Sequence, residues 1–199
     1  MTGPARGGEQ ETRTALLEAT IRLMLRDGYA GVSTRKVAAE AGVNPALVYY
    51  YFRTMDELFL AVFRRGAEAN LRRMRRALDA ERPLRAVWEV SSEPVNTALI
   101  LEFLALANHR DSVRTELAAY SARFRAMQAQ AVEQALKDTG VDRGEFPPAA
   151  MTVLISGLSR ILVMDDVIGL TEGHAEMRAL IEKFLARLDA PETEPPPAD

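Results

Sequence analysis

Apolar residues recur at the helical period of about 3.6 residues along most of this chain, and that period restricts its fold more than any other feature. The stretch from 172 to 188 shows the pattern clearly. Its apolar stripe consists of Met177, Leu180, Ile181, Phe184, Leu185 and Leu188. No segment alternates apolar and polar residues over the length of a half-buried strand. The sequence therefore predicts an all-α protein.

Short-range signals divide the first part of the chain into helices. The pattern predicts a helix over 11–27 that ends at Gly28, and a short helix over 34–41 that Ser33 caps and Gly42 ends. Because glycine adopts the left-handed conformation easily, both glycines suit helix ends. The first ten residues are polar and glycine-rich, and we expect a disordered arm over 1–10.

Two further helices follow closely. Asn44 caps a third helix with Pro45 at its first position, where the missing N–H costs nothing. Thr54 and Glu57 form a capping box for a long helix to about residue 78. The two short helices that meet at the turn after Ala41 have the spacing of a helix-turn-helix.

The outward positions of the second short helix carry aromatic side chains. Tyr49, Tyr50 and Tyr51 are poorly suited to bulk water. A DNA major groove would accept them, because tyrosine hydroxyls can donate to phosphate and rings can lie against thymine methyl groups. The alternative is that the tyrosines are core aromatics at a helix junction. Successive residues of one helix cannot all face the same core, which favours the DNA interpretation for the set.

The charge distribution agrees with a nucleic-acid contact at one end. Residues 1–55 carry seven basic and five acidic side chains, whereas the whole chain has a net charge of −3. A basic head on an acidic body suits a partner that is bound by the head alone. The signal is weak by itself, because solvated helix faces often differ this much.

Residues 11–65 resemble the DNA-binding domain of the TetR family of transcriptional regulators. The resemblance depends on matched spacing across four helices rather than on one short motif. The matching residues are Gly28, Tyr29, Ser33, Thr34, Val37, Ala38, Ala41, Gly42, Val43, Tyr49, Phe52, Thr54, Glu57 and Leu58.

The resemblance implies a homodimer whose short helices enter successive major grooves of a palindromic operator. It implies base contacts from Pro45, Ala46, Tyr49 and Arg35. It implies phosphate contacts from Thr34, Tyr50, Tyr51 and Thr54. Asn44 and Arg53 complete the predicted DNA-binding set.

The chain departs from the family pattern at two of these positions. The family often has histidine where this chain has Tyr51, and usually lysine where it has Met55. One charged phosphate contact is therefore missing, and Arg53 is the candidate substitute. A lower intrinsic DNA affinity follows from this loss.

The C-terminal part is predicted to bind a ligand and to form the dimer, the roles that the resemblance implies. The segment 149–168 is apolar on too many sides for a single core, so it could pair with the last helix in a four-helix interface. The alternative is that the monomer core consumes both helices. Aromatic and thioether side chains suit an irregular cavity for a small, mainly apolar effector. The candidate pocket residues are Trp88, Phe103, Leu104, Tyr120, Phe124, Met127, Met151 and Met164.

Polar residues near the candidate pocket could orient a ligand or face solvent, and the sequence leaves both open. They are Asn96, Glu102 and Asn108. Each pocket candidate taken alone is also compatible with ordinary core packing.

Enzyme functions find little support in the residues. The chain has no cysteine, and its two histidines, His109 and His174, lack a second ligand at metal-binding spacing. No nucleophile elbow or phosphate-binding glycine loop is present. We expect no catalysis, no metal and no cofactor. No apolar run is long enough to span a membrane, so we expect a cytoplasmic protein without a membrane partner.

The predicted organisation is therefore a three-helix DNA-binding domain over 11–54, joined by a long helix to an antiparallel helical ligand-binding and dimerisation domain over 55–190. We expect a disordered tail over 191–199. The predicted function is a ligand-responsive regulator of transcription, in the form of a repressor released by its effector. The alternative is a helical small-molecule-binding protein that has lost specific DNA binding.

Overall fold

The computed structural model describes residues 5–139, 144 and 146–189. Every regular element in these residues is helical. The helices in chain order are α1 (Ala5–Asp27), α2 (Thr34–Ala41), α3 (Pro45–Tyr51), α4 (Met55–Leu78), α5 (Pro83–Ser91), α6 (Pro94–Ala107), α7 (Asp111–Asp138), α8 (Pro148–Ile168) and α9 (His174–Asp189), with a short 3₁₀ turn at Tyr29–Gly31 between α1 and α2. The all-α prediction is confirmed.

The start of α1 differs from the predicted disordered arm. The helix begins at Ala5, so residues 5–10 are helical, and only residues 1–4 of that arm lie outside the described residues. The Thr12 hydroxyl donates to the Gly8 carbonyl at 2.9 Å, one turn earlier. The prediction from local composition was wrong for residues 5–10, because once the downstream part of a helix is stable, each further residue that joins it adds one hydrogen bond. The predicted tail over 191–199 lies outside the described residues.

Contacts divide the chain into two compact units. The first contains the residues up to Ala69 together with Ala98–Tyr120, and the second contains Asn70–Thr97 together with the described residues from Ser121 on. This division differs from the predicted boundary between residues 54 and 55. The predicted second domain assigned 98–120 to the ligand-binding part, whereas these residues pack in the same unit as the helix-turn-helix.

The first unit has a continuous apolar core. Its buried side chains include Leu16, Leu23, Val37, Val48 and Leu58 from α1 to α4. Since Val37 and Val48 lie on facing sides of the two short helices, their burial fixes how α2 and α3 pack.

Residues from α6 and α7 complete the first unit. Phe63 of α4 makes edge-to-face contacts with Phe103 at 5.0 Å and with Tyr120 at 5.6 Å between ring centroids. The Glu102 carboxylate accepts a hydrogen bond from the Tyr29 backbone N–H at 2.7 Å. Glu102 is thus a structural partner of the turn after α1, rather than a ligand-orienting group.

The second unit is held by two apolar clusters and a buried polar contact. One cluster centres on Met74, Val87 and Ala131, and the other includes Leu136 and Ile155. Between these helices, the fully buried Gln128 amide of α7 donates to the Ser91 hydroxyl at 3.0 Å and accepts from the Ser156 hydroxyl at 3.2 Å. Because a buried amide is costly when unpaired, these bonds favour one register of α5, α7 and α8.

Within the described residues, no single helix combines the length and apolar composition needed to cross a membrane, and only the bent pair of α5 and α6 reaches both limits together.

Candidate DNA-binding site and ligand cavity

Side-chain caps fix the ends of the two short helices. The Ser33 hydroxyl accepts from the Lys36 backbone N–H at 3.4 Å, and Gly42 ends α2 with a φ of 68°. The Asn44 carboxamide oxygen accepts from the Ala46 N–H at 2.9 Å, with Pro45 in the first helical position. The turn between α2 and α3 therefore has the geometry that the sequence predicts.

The start of α4 carries the predicted capping box. The Thr54 hydroxyl accepts from the Glu57 N–H at 3.1 Å, and the Glu57 carboxylate accepts from the Arg53 N–H at 2.8 Å. Asp56 and Glu57 also place negative charge in the first turn of α4, where it complements the helix dipole. Three successive helices therefore begin with a side-chain cap.

The predicted DNA-binding side chains lie mostly on the surface of α2, α3 and the turn before α4. Tyr49 is 61% and Tyr50 is 69% exposed, and Tyr51 is half-buried with its ring 5.0 Å from that of Tyr50. The other exposed members of the set are Arg35, Asn44, Pro45, Ala46, Arg53 and Thr54. The two most exposed tyrosine rings do not belong to the core of this unit, which argues against the core-aromatic alternative for them.

Thr34 is the member of the set with a competing contact. It is half-buried, and its hydroxyl donates to the Met55 sulfur at 3.5 Å. A thioether is a weak acceptor, so this bond can be exchanged for a stronger one to an anionic oxygen. Methionine at position 55, where the family usually has lysine, therefore also gives the Thr34 hydroxyl a hydrogen-bond acceptor.

Buried residues behind α3 hold the exposed ones in place. Val48 is 2% and Phe52 is 4% exposed, and the Arg13 guanidinium lies 5.4 Å from the centre of the Phe52 ring. Successive residues of a helix lie about 100° apart, so the burial of Val48 leaves Tyr49 and Tyr50 pointing away from the core, whereas Tyr51, about one turn after Val48, is half-buried.

Ion pairs join α1 to α2 beside this surface. The Glu40 carboxylate pairs with Arg22 at 2.8 Å and with Arg26 at 3.2 Å, and the Asp27 carboxylate pairs with Arg26 at 2.9 Å and with Lys36 at 3.3 Å. Hydrogen bonds from Arg22 and then Arg26 lower the pKa of Glu40, and those from Arg26 and then Lys36 lower the pKa of Asp27. Both carboxylates are therefore protonated only at a lower pH than unpaired carboxylates would be.

The second unit contains an open apolar cavity of about 530 Å³. Helices α5, α7, α8 and α9 and the residues before α8 line it. Its lining residues are Leu84, Trp88, Val132, Leu136, Phe146, Pro147, Ala150, Met151, Leu154, Ile155, Leu158, Met177, Leu180, Ile181, Phe184, Leu185 and Leu188. A volume and lining of this kind suit a small, mainly apolar molecule.

Only two of the eight predicted pocket residues, Trp88 and Met151, line this cavity. Phe103 and Tyr120 pack around Phe63 in the first unit, as described above. Phe124 and Met127 pack against the cluster around Met74, whereas Leu104 and Met164 are 38% and 48% exposed. Aromatic and methionine content alone did not distinguish the cavity from the core.

Sequence reasoning missed most of the cavity, although one signal for it was visible. All six residues of the apolar stripe over 172–188 line the cavity, and the sequence assigned that stripe to a dimer interface. Of the polar candidates near the pocket, Asn96 is half-buried and Asn108 is exposed, and neither lines the cavity.

The outer face of α8 is apolar and exposed along its length. Its members are Val153 at 55%, Ile161 at 47%, Met164 at 48%, Val167 at 78% and Ile168 at 75% exposure. Leu154, at 55% exposure, lies at the edge of this face and also lines the cavity. Gly157 is exposed on the same helix and has open space where a Cβ would lie. Ser156 and Ser159 of this helix are buried inside the unit.

Comparisons with known proteins agree with this architecture. Residues 16–62 match the family model described as bacterial regulatory proteins of the tetR family, and residues 84–190 match the one described as the C-terminal part of BetI-type transcriptional repressors. The second match alone covers more than half of the chain. This chain belongs to the TetR family of transcriptional regulators. Proteins of this family bind DNA and small-molecule effectors, are typically dimers, and are generally not enzymes.

The individual relatives are similar over part of their length. The BetI regulator of Rhizobium meliloti is 29% identical over 132 residues, which cover 62% of this chain and 65% of that protein. The BetI regulator of Agrobacterium fabrum is 32% identical over 133 residues, 62% of this chain and 64% of that protein. The matched region thus spans slightly less than two thirds of these two relatives.

Solved structures share the fold of this TetR-family chain. A regulator from Saccharomonospora viridis, solved in complex with choline, has a TM-score of 0.73 at 22% identity and covers 89% of this chain and 96% of its own. A TetR-family regulator from Rhodococcus has a TM-score of 0.70 at 21% identity and covers 90% of this chain and 100% of its own.

Proposed function

We propose that this TetR-family regulator is a repressor that binds a palindromic operator as a homodimer and is released by a small, mainly apolar effector. The observation that carries the DNA-binding part is the exposure of the Tyr49 and Tyr50 rings on a helix whose start, end and buried face are all fixed. Exposed aromatic residues on a fixed helix-turn-helix are suited to a DNA groove.

The proposed roles follow the position of each side chain. Pro45, Ala46 and Tyr49 read base edges and methyl groups, and Arg35 can reach a guanine with two hydrogen bonds. Thr34, Tyr50, Tyr51 and Thr54 donate to phosphate oxygens, Arg53 supplies the positive charge near them, and Asn44 holds the start of the reading helix.

Substitution of Tyr49 tests the DNA-binding proposal. Y49A should weaken binding to DNA from the flank of its own gene by about 5- to 150-fold, which corresponds to the loss of about 1–3 kcal/mol per base contact. Fluorescence anisotropy at fixed salt measures this. Y49F retains the ring and should retain most of the affinity, while unchanged affinity in Y49A would contradict the proposed role.

The second candidate function is a small-molecule-binding protein without specific DNA binding, and Met55 is the observation that favours it. M55K distinguishes the two candidates. If the chain binds DNA as proposed, the added lysine contributes a phosphate contact, and the slope of log affinity against log salt should steepen by about 1. If the chain has lost operator binding, neither the original protein nor M55K will bind the flanking DNA above the level of unrelated DNA.

The proposed effector site is the large apolar cavity. A150L should fill part of it and abolish release from DNA, because Ala150 lines the cavity. A149L is the matched control, since Ala149 is the preceding residue of α8, is exposed, and does not line the cavity. Equal responses of the two variants in a release assay would exclude this cavity as the effector site.

The structural relative that binds choline raises the question of a small cation. Among the described residues that line the large cavity, none is acidic. Trp88, Phe146 and Phe184 are aromatic faces that a cation could contact, but the rest of the lining is aliphatic, so we expect this cavity by itself to hold an apolar group.

The proposed dimer uses the exposed apolar face of α8. Because water contact with such a stripe is unfavourable, a second copy is the natural cover in a two-fold interface. V153E should dissociate the dimer in sedimentation measurements, whereas V95E should not, since Val95 of α6 is equally exposed at 55% but lies outside this face. In the dimer, the two reading helices should lie one or more turns of DNA apart, about 34–36 Å or a multiple.

A further inference from the structure

A second, polar recess shares a wall with the large cavity. It has a volume of about 230 Å³ and is lined by residues of α5, α8 and α9 and by Ser92 and Pro94. Trp88 and Ile181 line both spaces. The two recesses are therefore neighbours inside one unit, with the Trp88 side chain at their boundary.

The two recesses follow the same pair of antiparallel helices. On α8 the large cavity is lined from Ala150 to Leu158, and the polar recess from Ser159 to Asp166. At 1.5 Å per residue, the distance along α8 from Ala150 to Asp166 is about 24 Å. A ligand that occupied both spaces would therefore be elongated, with one polar end.

The charged groups of the polar recess favour a positive end. Its lining includes two carboxylates, Asp166 and Glu182, and one guanidinium, Arg178. Asp166 accepts from His174 Nδ1 at 3.1 Å and lies 3.5 Å from Arg178. Glu182 pairs at 2.6 Å with Arg85, which does not line the recess.

The aromatic wall adds to this preference. The indole of Trp88 is the best side chain for contact with a cation, and it stands next to the carboxylates. An anionic head group would meet one guanidinium, Arg178, but two carboxylates, and a purely apolar molecule would leave the polar recess unused.

We propose that the two recesses form one site for a cationic amphiphile, with its apolar tail in the large cavity and its ammonium head against Trp88, Asp166 and Glu182. This inference rests on the proposed function, because the tail occupies the proposed effector cavity. It adds the polar recess, the shape of the ligand and the sign of its charge.

The chain carries its own probe for the test. Trp88 is the only tryptophan, so intrinsic fluorescence reports occupancy of the shared wall. The full-length protein is titrated with hexyl-, octyl- and decyltrimethylammonium below their micelle-forming concentrations, and with octanol and octanoate. Each added methylene should tighten binding by about fourfold, and octyltrimethylammonium should bind about tenfold tighter than octanol and tighter still than octanoate.

Matched variants locate the head group. D166N should reduce the preference for octyltrimethylammonium over octanol. E182Q should do the same, and it keeps the test available if D166N disturbs folding. D165N is the control, because Asp165 contacts His174 Nε2 at 3.4 Å but does not line the recess. Circular dichroism spectra verify that each variant is folded.

The outcomes separate this inference from the proposed function. Equal binding of octanol and octyltrimethylammonium with a clear chain-length dependence would overturn the cationic head and leave the apolar effector cavity in place. Tighter binding of octanoate would also overturn the cationic head. Absence of any chain-length dependence would overturn both proposals, and a D165N effect equal to that of D166N would overturn the placement of the head.

Discussion

The two units of this chain use different means to fix their helices. In the first unit, α2, α3 and α4 each begin with a side-chain cap, and a left-handed glycine ends α2. In the second unit, α5 and α8 begin with proline in the first turn and without a side-chain cap. Local signals therefore determine the helices of the first unit, whereas α5 and α8 of the second unit depend more on packing between distant residues.

The units also differ in what they leave exposed. The first exposes tyrosines on a short helix behind which the core is closely packed. The second leaves an open cavity and an apolar face on α8. A protein that must present a fixed surface to DNA and adapt to a ligand benefits from this division, because tightly packed cores resist rearrangement and open ones allow it.

Replacing a phenylalanine by alanine should lower the free energy of unfolding much more in the first unit than in the second, and this is the largest difference that we expect between the units. F52A removes a side chain that is 4% exposed and should cost about 3–5 kcal/mol of unfolding free energy, because it leaves a cavity behind. F184A removes a half-buried ring that lines an open cavity, and its cost should be about 1–2 kcal/mol. Urea unfolding followed by circular dichroism measures both. Equal costs would contradict the difference in packing between the units.

The difference in helix capping should have a smaller effect on stability, and its sign should depend on whether a cap is removed or added. T54A removes the hydroxyl that caps α4 and should cost about 1 kcal/mol. R82D supplies a cap that α5 lacks and should add about 0.5–1 kcal/mol, since Arg82 is exposed at the capping position and makes no side-chain cap bond. Thermal unfolding of each variant checks the sign. If R82D does not stabilise the protein and T54A does not destabilise it, caps do not distinguish the two units.

The sequence predicted the first unit well for this reason. Ser33, Gly42, Asn44, Pro45 and Thr54 act on backbone groups within a few residues, so their effect can be read without knowing the fold. The bounds of α2, α3 and α4 agree with those predicted. The exception is the start of α1, where the helix extends through two glycines.

The cavity could not be read in the same way. Its walls come from α5, α7, α8 and α9, and whether an apolar residue faces a cavity or a core depends on neighbours far along the chain. Phe103 and Met151 are both apolar, yet one is buried around Phe63 and the other lines the cavity. The helix positions were predictable, but the space between the helices was not.

Acidification should have the smallest effect and should act on the first unit. The arginine-paired Asp27 and Glu40 have pKa values lowered below their ordinary values near 4. A carboxyl with a lowered folded-state pKa contributes stability above its unfolded pKa and loses it as the pH falls through the folded value. The stability of the first unit should therefore decline below about pH 4. Since both groups are at the surface, salt screens their ion pairs, and the decline in stability should be smaller in high salt.

The E40Q variant isolates this contribution. Glutamine cannot form the charged pairs with Arg22 and Arg26, so E40Q should be slightly less stable near neutral pH and should lose less stability on acidification. E11Q is the control, because Glu11 is an exposed α1 residue outside these ion pairs, and it should follow the original protein at every pH. Hydrogen exchange of amides in α1 and α2, measured across the acid range, resolves the first unit from the second. An identical acid dependence in E40Q and E11Q would show that the ion pairs between α1 and α2 add nothing to the fixed geometry of the DNA-binding unit.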